Sequence, residues 1–549
     1  MEWHIYLERL IFCLNKLVMD NHPVVLVAFK DFDNLGAGYL ASVLSEESYE
    51  PEILDFRSGK DEILKVIKKL KPKIVGFSVI FQYYLHEFKE LINYLREAGI
   101  NSHFSAGGQY ASMRYEDLFR FIPSLDSIVR FEGEYTFLEL VNKIHTGTDW
   151  RKIQSLAYKT NGKTIVNPLR PPEMDLDKFP FPVRAPLDNY ALEKKFATIL
   201  AGRGCVNNCS FCNNTEYIKQ SSVPFKRLRK PENVVDEINF LYHEKDCSVF
   251  LFEDDDFPVK KVKGSDWIER FCEELKQKSL ADKVMWKINC RPDEIDYDRF
   301  ALMKKHGLYL VFLGIDDGTD EGLNRLHKHM TVEESLIGIN ILKKLEIGFD
   351  YGFMLFQPSS TFISVNRNLG FLRQLCNDGS APVTFLKLMP FFDTRIEKEL
   401  RKAGRLKGEP GLLDYDFLIS SLDHYYEYVS ESFNEWLYDT EGLANIIKWA
   451  RNYFSVFSHF HQMTPEVKLL KSEVQGNVSR SNIFMLDMMS ELAGIFESGR
   501  YKDTEFSFLP VYREAIKEQH NLYKEKIVNS IKKLGRFSQS QKLRQFMKI

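Results

Sequence analysis

The chain has 549 residues, room for about two to four domains, and 44% of them are apolar, so sizeable cores are available. Lysine and arginine (74) nearly balance aspartate and glutamate (77), and the formal charge of −3 leaves no basic footprint for nucleic acid. Eight cysteines over this length exclude a disulfide scaffold and fit a reducing compartment, so the sequence reads as a cytoplasmic protein.

Residues 1–21 carry an apolar run from Leu10 to Met19. Lys16 interrupts it, Glu2 and Glu8 precede it, and no small-residue cleavage site follows. This predicts a short amphipathic N-terminal helix, and neither a signal peptide nor a membrane span.

Over residues 22–150, apolar strand-like runs alternate with helical patterns. Strands are predicted at Pro23–Phe29, Pro51–Phe56, Lys73–Ile80, Ser102–Ala106 and Ser127–Arg130, with helices at Leu35–Leu44, Asp61–Leu70 and Leu85–Ala98. Such alternation predicts a parallel, doubly wound, Rossmann-like sheet, whose ligands lie at the carboxyl ends of the strands. Asp31-Phe32-Asp33-Asn34-Leu35-Gly36 follows the first strand, Ser78-Val79-Ile80 ends the third, and Gly107-Gly108-Gln109 follows the fourth. At this spacing the three motifs resemble the D-x-H-x-x-G, S-x-L and G-G pattern of cobalamin-binding domains. The resemblance implies a cobalamin site at Asp31, Asp33, Gly36, Ser78, Gly107, Gly108 and Gln109, with Gly133 and Glu134 on the same rim. Glycine and serine let backbone lie against a bulky corrin. The family's histidine position is Asp33, which cannot serve as an imidazole ligand to cobalt. A flavodoxin-like domain whose Gly-Gly is only a turn is the plainer alternative.

Residues 151–190 are rich in proline and read as an extended linker. A second domain is expected over 191–400. Its first strand, Ala197–Ala201, leads into Cys205-Val206-Asn207-Asn208-Cys209-Ser210-Phe211-Cys212. Three thiolates spaced C-x3-C-x2-C can converge on one soft metal centre, and iron–sulfur clusters are held this way. Zinc takes a fourth protein ligand, usually from a second pair, and Cys13, Cys247, Cys272, Cys290 and Cys376 form no such pair. With Arg203-Gly204 before it and Asn213-Asn214 after it, the motif resembles the radical S-adenosylmethionine (SAM) superfamily.

That resemblance implies a partial (β/α) barrel of the TIM type and a [4Fe–4S] cluster on Cys205, Cys209 and Cys212. It also implies SAM on the open iron and reductive cleavage to a 5′-deoxyadenosyl radical. Candidate SAM-binding residues then follow along the chain. Phe211 lies between two ligands, near the adenine. Glu253, Asp254 and Asp255 follow the strand Ser248–Phe252 and stand, unranked, for the SAM ammonium. Arg291 ends the strand Met285–Arg291 and suits the SAM carboxylate. Asp316 ends the strand Leu310–Asp316 and suits the ribose hydroxyls. Two more strands are expected at Tyr351–Pro358 and Phe385–Pro390.

From 401 to 549, apolar residues recur at helical spacing, which predicts an α-helical domain with helices at Leu443–Tyr453, Ile483–Phe496 and Val511–Leu534. Together the two resemblances imply a cobalamin-dependent radical SAM enzyme acting on a small molecule. A methyltransferase using a 5′-deoxyadenosyl radical and methylcobalamin is the leading form, with a flavodoxin or ferredoxin as reducing partner. Cyclisation, ring contraction or another redox rearrangement stands beside it, and so does a non-catalytic cobalamin sensor.

Overall fold

The computed structural model describes residues 22–30, 33–184, 190–260, 266–502 and 509–537. The helix expected over 1–21, Asp31 and the end of the chain lie outside the described residues. The described residues divide into two compact units, the first running to Pro172 with the additional segments 178–184 and Gln220–Ser222.

In the first unit, β1 (Pro23–Ala28), β2 (Glu50–Asp55), β3 (Ile74–Ser78), β4 (His103–Gly107) and β5 (Ser127–Val129) run parallel in the order 2-1-3-4-5. This is the doubly wound arrangement, and its switch point lies between β1 and β3. β1 is apolar along its length, as strands covered on both faces are. On one face, Ala37, Ala41 and Leu44 of α1 (Leu35–Glu46) and Phe137 and Leu140 of α2 (Glu134–Thr146) pack with Val24, Leu26 and Ala28. Asn34 starts α1: its side chain accepts the Ala37 amide at 2.8 Å and donates to the Phe29 carbonyl at 2.6 Å.

The stretch 151–190 departs from the expected linker. β6 (Leu156–Thr160) and β7 (Lys163–Val166) form a hairpin that extends the first sheet antiparallel from β5. Asn161 and Gly162 make its two-residue turn with φ of 49° and 73°, the positive values such a turn requires.

The second unit contains β8 (Tyr190–Ala191), β9 (Lys194–Ile199), β10 (Gly202–Gly204), β11 (Lys226–Leu228), β12 (Cys247–Phe252), β13 (Met285–Cys290), β14 (Leu308–Asp316) and β15 (Gly348–Phe353). β9 and β12 to β15 run parallel in chain order and curl into half a barrel. β8 pairs antiparallel with β9, and β10 with β11. The strand expected at 351–358 is present but shifted, as β15, and the one expected at 385–390 is absent but for one bridge. β15 stops at Phe353, and the later segment supplies one bridge, Lys387 to Phe356. Pro358 and Pro390 have no amide to extend a ladder there.

Beyond residue 401 a short hairpin, β16 (Leu406–Glu409) and β17 (Leu412–Tyr415), precedes the helices. The long ones are α3 (Leu443–Phe460), α4 (Pro465–Glu497) and α5 (Leu509–Phe537). Buried Asn482 ties α4 to the half-barrel. It donates to the Cys376 and Ala381 carbonyls, both at 2.8 Å, and accepts the Val383 amide at 2.9 Å. Among the described residues, no helix is long and apolar enough to cross a membrane. The chain is thus an α/β protein with a Rossmann-like N-terminal domain, a half-barrel and a mainly helical C-terminal region.

Candidate functional site

The three-cysteine loop leaves the carboxyl end of β9. Gly204 makes the approach possible: its φ is +90°, and a Cβ there would stand 2.2 Å from the Phe225 carbonyl oxygen. Cys205, Cys209 and Cys212 are free and partly buried, whereas Cys247, Cys272, Cys290 and Cys376 are fully buried. Burial pushes all three loop thiols up, Cys212 to about 12. Left to themselves they stay protonated. A bound cationic centre supplies the charge that makes thiolates stable here. The Asn207 amide and its side-chain nitrogen both point at the Cys205 sulfur, at 3.4 Å. Hydrogen bonds to sulfur of this kind tune iron–sulfur clusters. Among the described residues, no three His, Cys, Asp or Glu side chains meet tightly around a single ion. The three free thiols of one eight-residue loop are the kind of donor set that holds a four-iron cluster.

The acidic run after β12 divides by role. Asp254 is buried, and both its oxygens are taken, Oδ1 by the Gly202 amide at 2.7 Å and Oδ2 by the Ala201 amide at 2.9 Å. It clamps the strand that enters the cysteine loop. Glu253 is exposed and faces Lys287 at 3.4 Å. Asp255 is open to solvent, yet desolvation by the surrounding walls raises its carboxyl, and Asn214 is its hydrogen-bond partner. Its charge acts on Cys205 and Cys212, and of the three carboxylates it is the best placed for an ammonium.

Arg291 follows β13 and is buried. Asp293 takes its Nε at 2.8 Å and its Nη2 at 3.1 Å, while Nη1 is buried with no partner. A buried, unpartnered guanidinium nitrogen facing the Cys209 region fits the carboxylate of SAM. Phe211 packs on the edge of the half-barrel core. Asp316 ends β14 in a left-handed conformation, φ 69°.

Sequence reasoning missed the partner of Asp316. The Lys328 ammonium donates to Asp316 Oδ2 at 2.6 Å and to the Gly314 carbonyl at 2.9 Å, and both side chains are buried. Burial disfavours the ammonium, but the Asp316 carboxylate outweighs it and the Lys328 pKa is raised. His327 and His329 flank it with φ of 55° and 52°. Left-handed non-glycine residues cost about 1–3 kcal/mol each and gather at functional sites.

In the first unit, the residues at the carboxyl edge of the sheet separate into open and packed positions. A Cβ at Gly36 would meet only Asn34 Oδ1 at 3.6 Å, and one at Gly107 only the Val129 oxygen at 3.5 Å. Space stands open at both, and Ser78 pairs with Gly107 across β3 and β4. Gly108 is different. Its φ is +99°, and a Cβ would lie 2.8 Å from the Val79 oxygen, so it is glycine for the turn itself. Gln109 then opens a short helix, and Gly133 precedes buried Glu134 at the start of α2. Asp33 does not point outward. It forms a buried ion pair with Arg184 at 3.1 Å, which takes it out of play as a metal ligand. Phe131, unremarked in the sequence, has φ of 64° on this same edge, and its amide donates to Ser112 Oγ at 2.7 Å. Gly36, Ser78 and Gly107 lie at the carboxyl edge of the sheet, and the open space at the two glycines suits a flat, bulky ligand.

The family model described as the B12 binding domain matches residues 21–141, and that of the Radical SAM superfamily matches residues 199–360. The chain is 29% identical over 371 residues to an uncharacterized methyltransferase of Pyrococcus horikoshii, a match covering 66% of this chain and 77% of that protein. It is 30% identical over 319 residues to the anaerobic magnesium-protoporphyrin IX monomethyl ester cyclase of Rubrivivax gelatinosus. That match covers 56% of this chain and only 55% of the cyclase. Among solved structures, the cobalamin-dependent S-adenosylmethionine radical enzyme OxsB, with aqua-cobalamin and S-adenosylmethionine bound, has a similar fold. Its TM-score is 0.64 at 16% identity, over 91% of this chain and 84% of OxsB.

A B12-type sheet and a half-barrel with a three-thiol loop on one chain define a radical enzyme that also carries a corrin. The chain belongs to the cobalamin-dependent radical SAM enzymes, and its cofactors are cobalamin, SAM and a [4Fe–4S] cluster.

Proposed function

We propose that this enzyme is a methyltransferase that adds a methyl group to an unreactive carbon of a small molecule. The observation that carries the radical half is the buried, partnerless Nη1 of Arg291, whose charge reaches Cys209, with the Asp255 carboxylate close enough to act on Cys205 and Cys212. Methyl transfer is supported by the Pyrococcus relative, which is described as a methyltransferase and aligns over 77% of its length. When bound, the cluster supplies the electron that cleaves SAM and the corrin carries the methyl group.

The chain's own part is binding and orientation. Cys205, Cys209 and Cys212 would hold the cluster through three of its irons, which would leave one iron for SAM. Arg291 donates to the SAM carboxylate, Asp255 accepts from its ammonium, and Asp316 receives the ribose. Phe211 borders the adenine. Gly36, Ser78 and Gly107 make room for the corrin, and Asp33 stays paired with Arg184 instead of reaching the cobalt. A small reducing protein supplies the electrons.

A second reading, radical cyclisation without methyl transfer, is favoured by the likeness to the Rubrivivax cyclase. The test is turnover of the reconstituted enzyme with methyl-labelled SAM, cobalamin, a reductant and candidate substrates. Methyl transfer predicts one deoxyadenosine and one labelled product per turnover. Deoxyadenosine with an unlabelled, rearranged product would establish the second reading instead. Cys209→Ala is expected to abolish SAM cleavage in either case.

A further inference from the structure

The segment 325–329 straps three parts of the half-barrel together. The Arg325 carbonyl accepts the Ser210 hydroxyl at 2.9 Å, and the Leu326 carbonyl accepts the Ser210 amide at 2.9 Å. His329 Nε2 meets Asn208 Oδ1 at 3.0 Å. Ser210 and Asn208 both lie inside the three-cysteine loop. His327 Nε2 meets Arg395 Nη1 at 2.7 Å on the other side. Between these anchors, Lys328 turns inward to Asp316 and Gly314. Gly314 has little room to spare, since a Cβ there would stand 3.2 Å from the Lys328 Nζ. Both histidines hold the left-handed conformation, so the backbone here is over-determined by its contacts.

A lysine is an odd choice for a purely structural strap. Its ammonium is a strongly hydrated point charge, and burying it is unfavourable unless it is matched. Here one carboxylate and one carbonyl use two of its three N–H groups, and a third remains. The strap thus delivers a buried positive charge to the edge of the cluster loop and to the residue that ends β14.

We propose that Lys328 is a positioning residue of the radical site: its buried ammonium sets the Asp316 carboxylate for the SAM ribose and places a positive charge beside the cysteine loop that raises the cluster's reduction potential. The inference rests on the reading of Cys205, Cys209 and Cys212 as cluster ligands and of Asp316 as a SAM contact. A positive charge near a cluster stabilises its reduced, more negative state, so the sign is fixed. Reduction must precede SAM cleavage, and a cluster too negative for its donor is idle. Asp316 works against this effect, and the pair holds the two charges in balance.

The test uses the reconstituted full chain with cobalamin bound, and reads the cluster midpoint potential by spectroscopic redox titration and SAM affinity by equilibrium binding. Lys328→Met is expected to move the midpoint to more negative potential and to weaken SAM binding about tenfold. Lys328→Arg, which keeps the charge, is expected to restore most of the potential. Asp316→Asn is expected to move the midpoint the opposite way, to less negative potential, while also weakening SAM binding. It carries the test if Lys328→Met does not fold. A wild-type chain that assembles a cluster and binds SAM, with variants that leave the midpoint unmoved or move it in the same direction, overturns the proposal alone. A wild-type chain that assembles no cluster overturns the reading of the cysteines, and the proposal with it.

Discussion

The Gly202 amide and Asp254 are joined by a 2.7 Å hydrogen bond, and the Ala201 amide reaches the other oxygen of the same carboxylate at 2.9 Å. The carboxylate thereby fixes the backbone three residues ahead of Cys205. Burial pushes Asp254 up to about 7, against the two amides that favour its ionised form. Asp254→Asn presents an NH2 group to one of those amides. We expect a loss of about 1–3 kcal/mol in stability, from one buried donor left unpaired. Cluster content should fall with it, read by iron and sulfide analysis. Asp255→Asn should leave melting and iron content unchanged and weaken SAM binding instead. The opposite division of effects would reverse the roles given to the two residues.

Arg291 makes a different prediction, because its first fork is already occupied. Asp293 holds Nε and Nη2, so Nη1 is the one left for a ligand. Lysine has no planar fork and cannot hold Asp293 and a carboxylate in the same way. Arg291→Lys should therefore assemble the cluster normally but bind SAM roughly 10- to 100-fold more weakly, as a charged hydrogen bond of about 1.5–3 kcal/mol implies. Titration of SAM against the cluster's spectrum checks both halves. Unchanged affinity would mean that Nη1 faces something else.

How far the sequence reached can be traced residue by residue. The three thiols were legible because all lie within one loop, where spacing alone reports geometry. The glycine and serine motifs were legible because each follows a predicted strand. Asp254 and Asp255 were not separable by type. Neighbours at a strand end point to opposite sides, and only the fold shows which side holds the Gly202 amide. Lys328 was invisible for another reason. It lies in an irregular turn with no periodicity, and it reaches Asp316 only because β14 and the following helix fold back on each other. The hairpin β6–β7 did carry a signal, Asn161-Gly162 between two short apolar runs, which the nearby prolines obscured.

The two neighbouring glycines of the first unit should behave differently. Gly107 borders open space, whereas Gly108 is held by its positive φ and by the Val79 carbonyl. Gly107→Phe should fold and melt like the parent while losing cobalamin, because the ring occupies the open space beside Gly107. Gly108→Ala should destabilise the domain by more than the roughly 1 kcal/mol that glycine substitutions confer at compatible sites, because its Cβ meets backbone. Absorbance of bound cobalamin and thermal melting separate the two outcomes. Normal corrin binding by Gly107→Phe would move the ligand away from the carboxyl ends of β3 and β4.

Glu294 gives the pH dependence. It is buried after β13, accepts the Arg291 amide at 3.3 Å, and lies beside Asp256, which pairs with Lys226 at 2.9 Å. Burial first, and then the Asp256 charge, raise its carboxyl from an ordinary 4.5 to about 8. The folded chain therefore keeps a proton that the unfolded chain has released. Where the native state binds more protons, stability falls as pH rises. The contribution is fully present below about pH 4.5, declines through neutrality and is gone above about pH 8. Glutamine keeps the shape and an acceptor for the Arg291 amide, and it cannot ionise. Glu294→Gln should therefore flatten the decline of melting temperature between pH 5 and pH 8.5 and melt several degrees above the parent at the alkaline end. The comparison belongs to the cluster-free chain, so that no metal charge enters the titration. Parallel curves for parent and variant across that range would show that Glu294 is already ionised at pH 5.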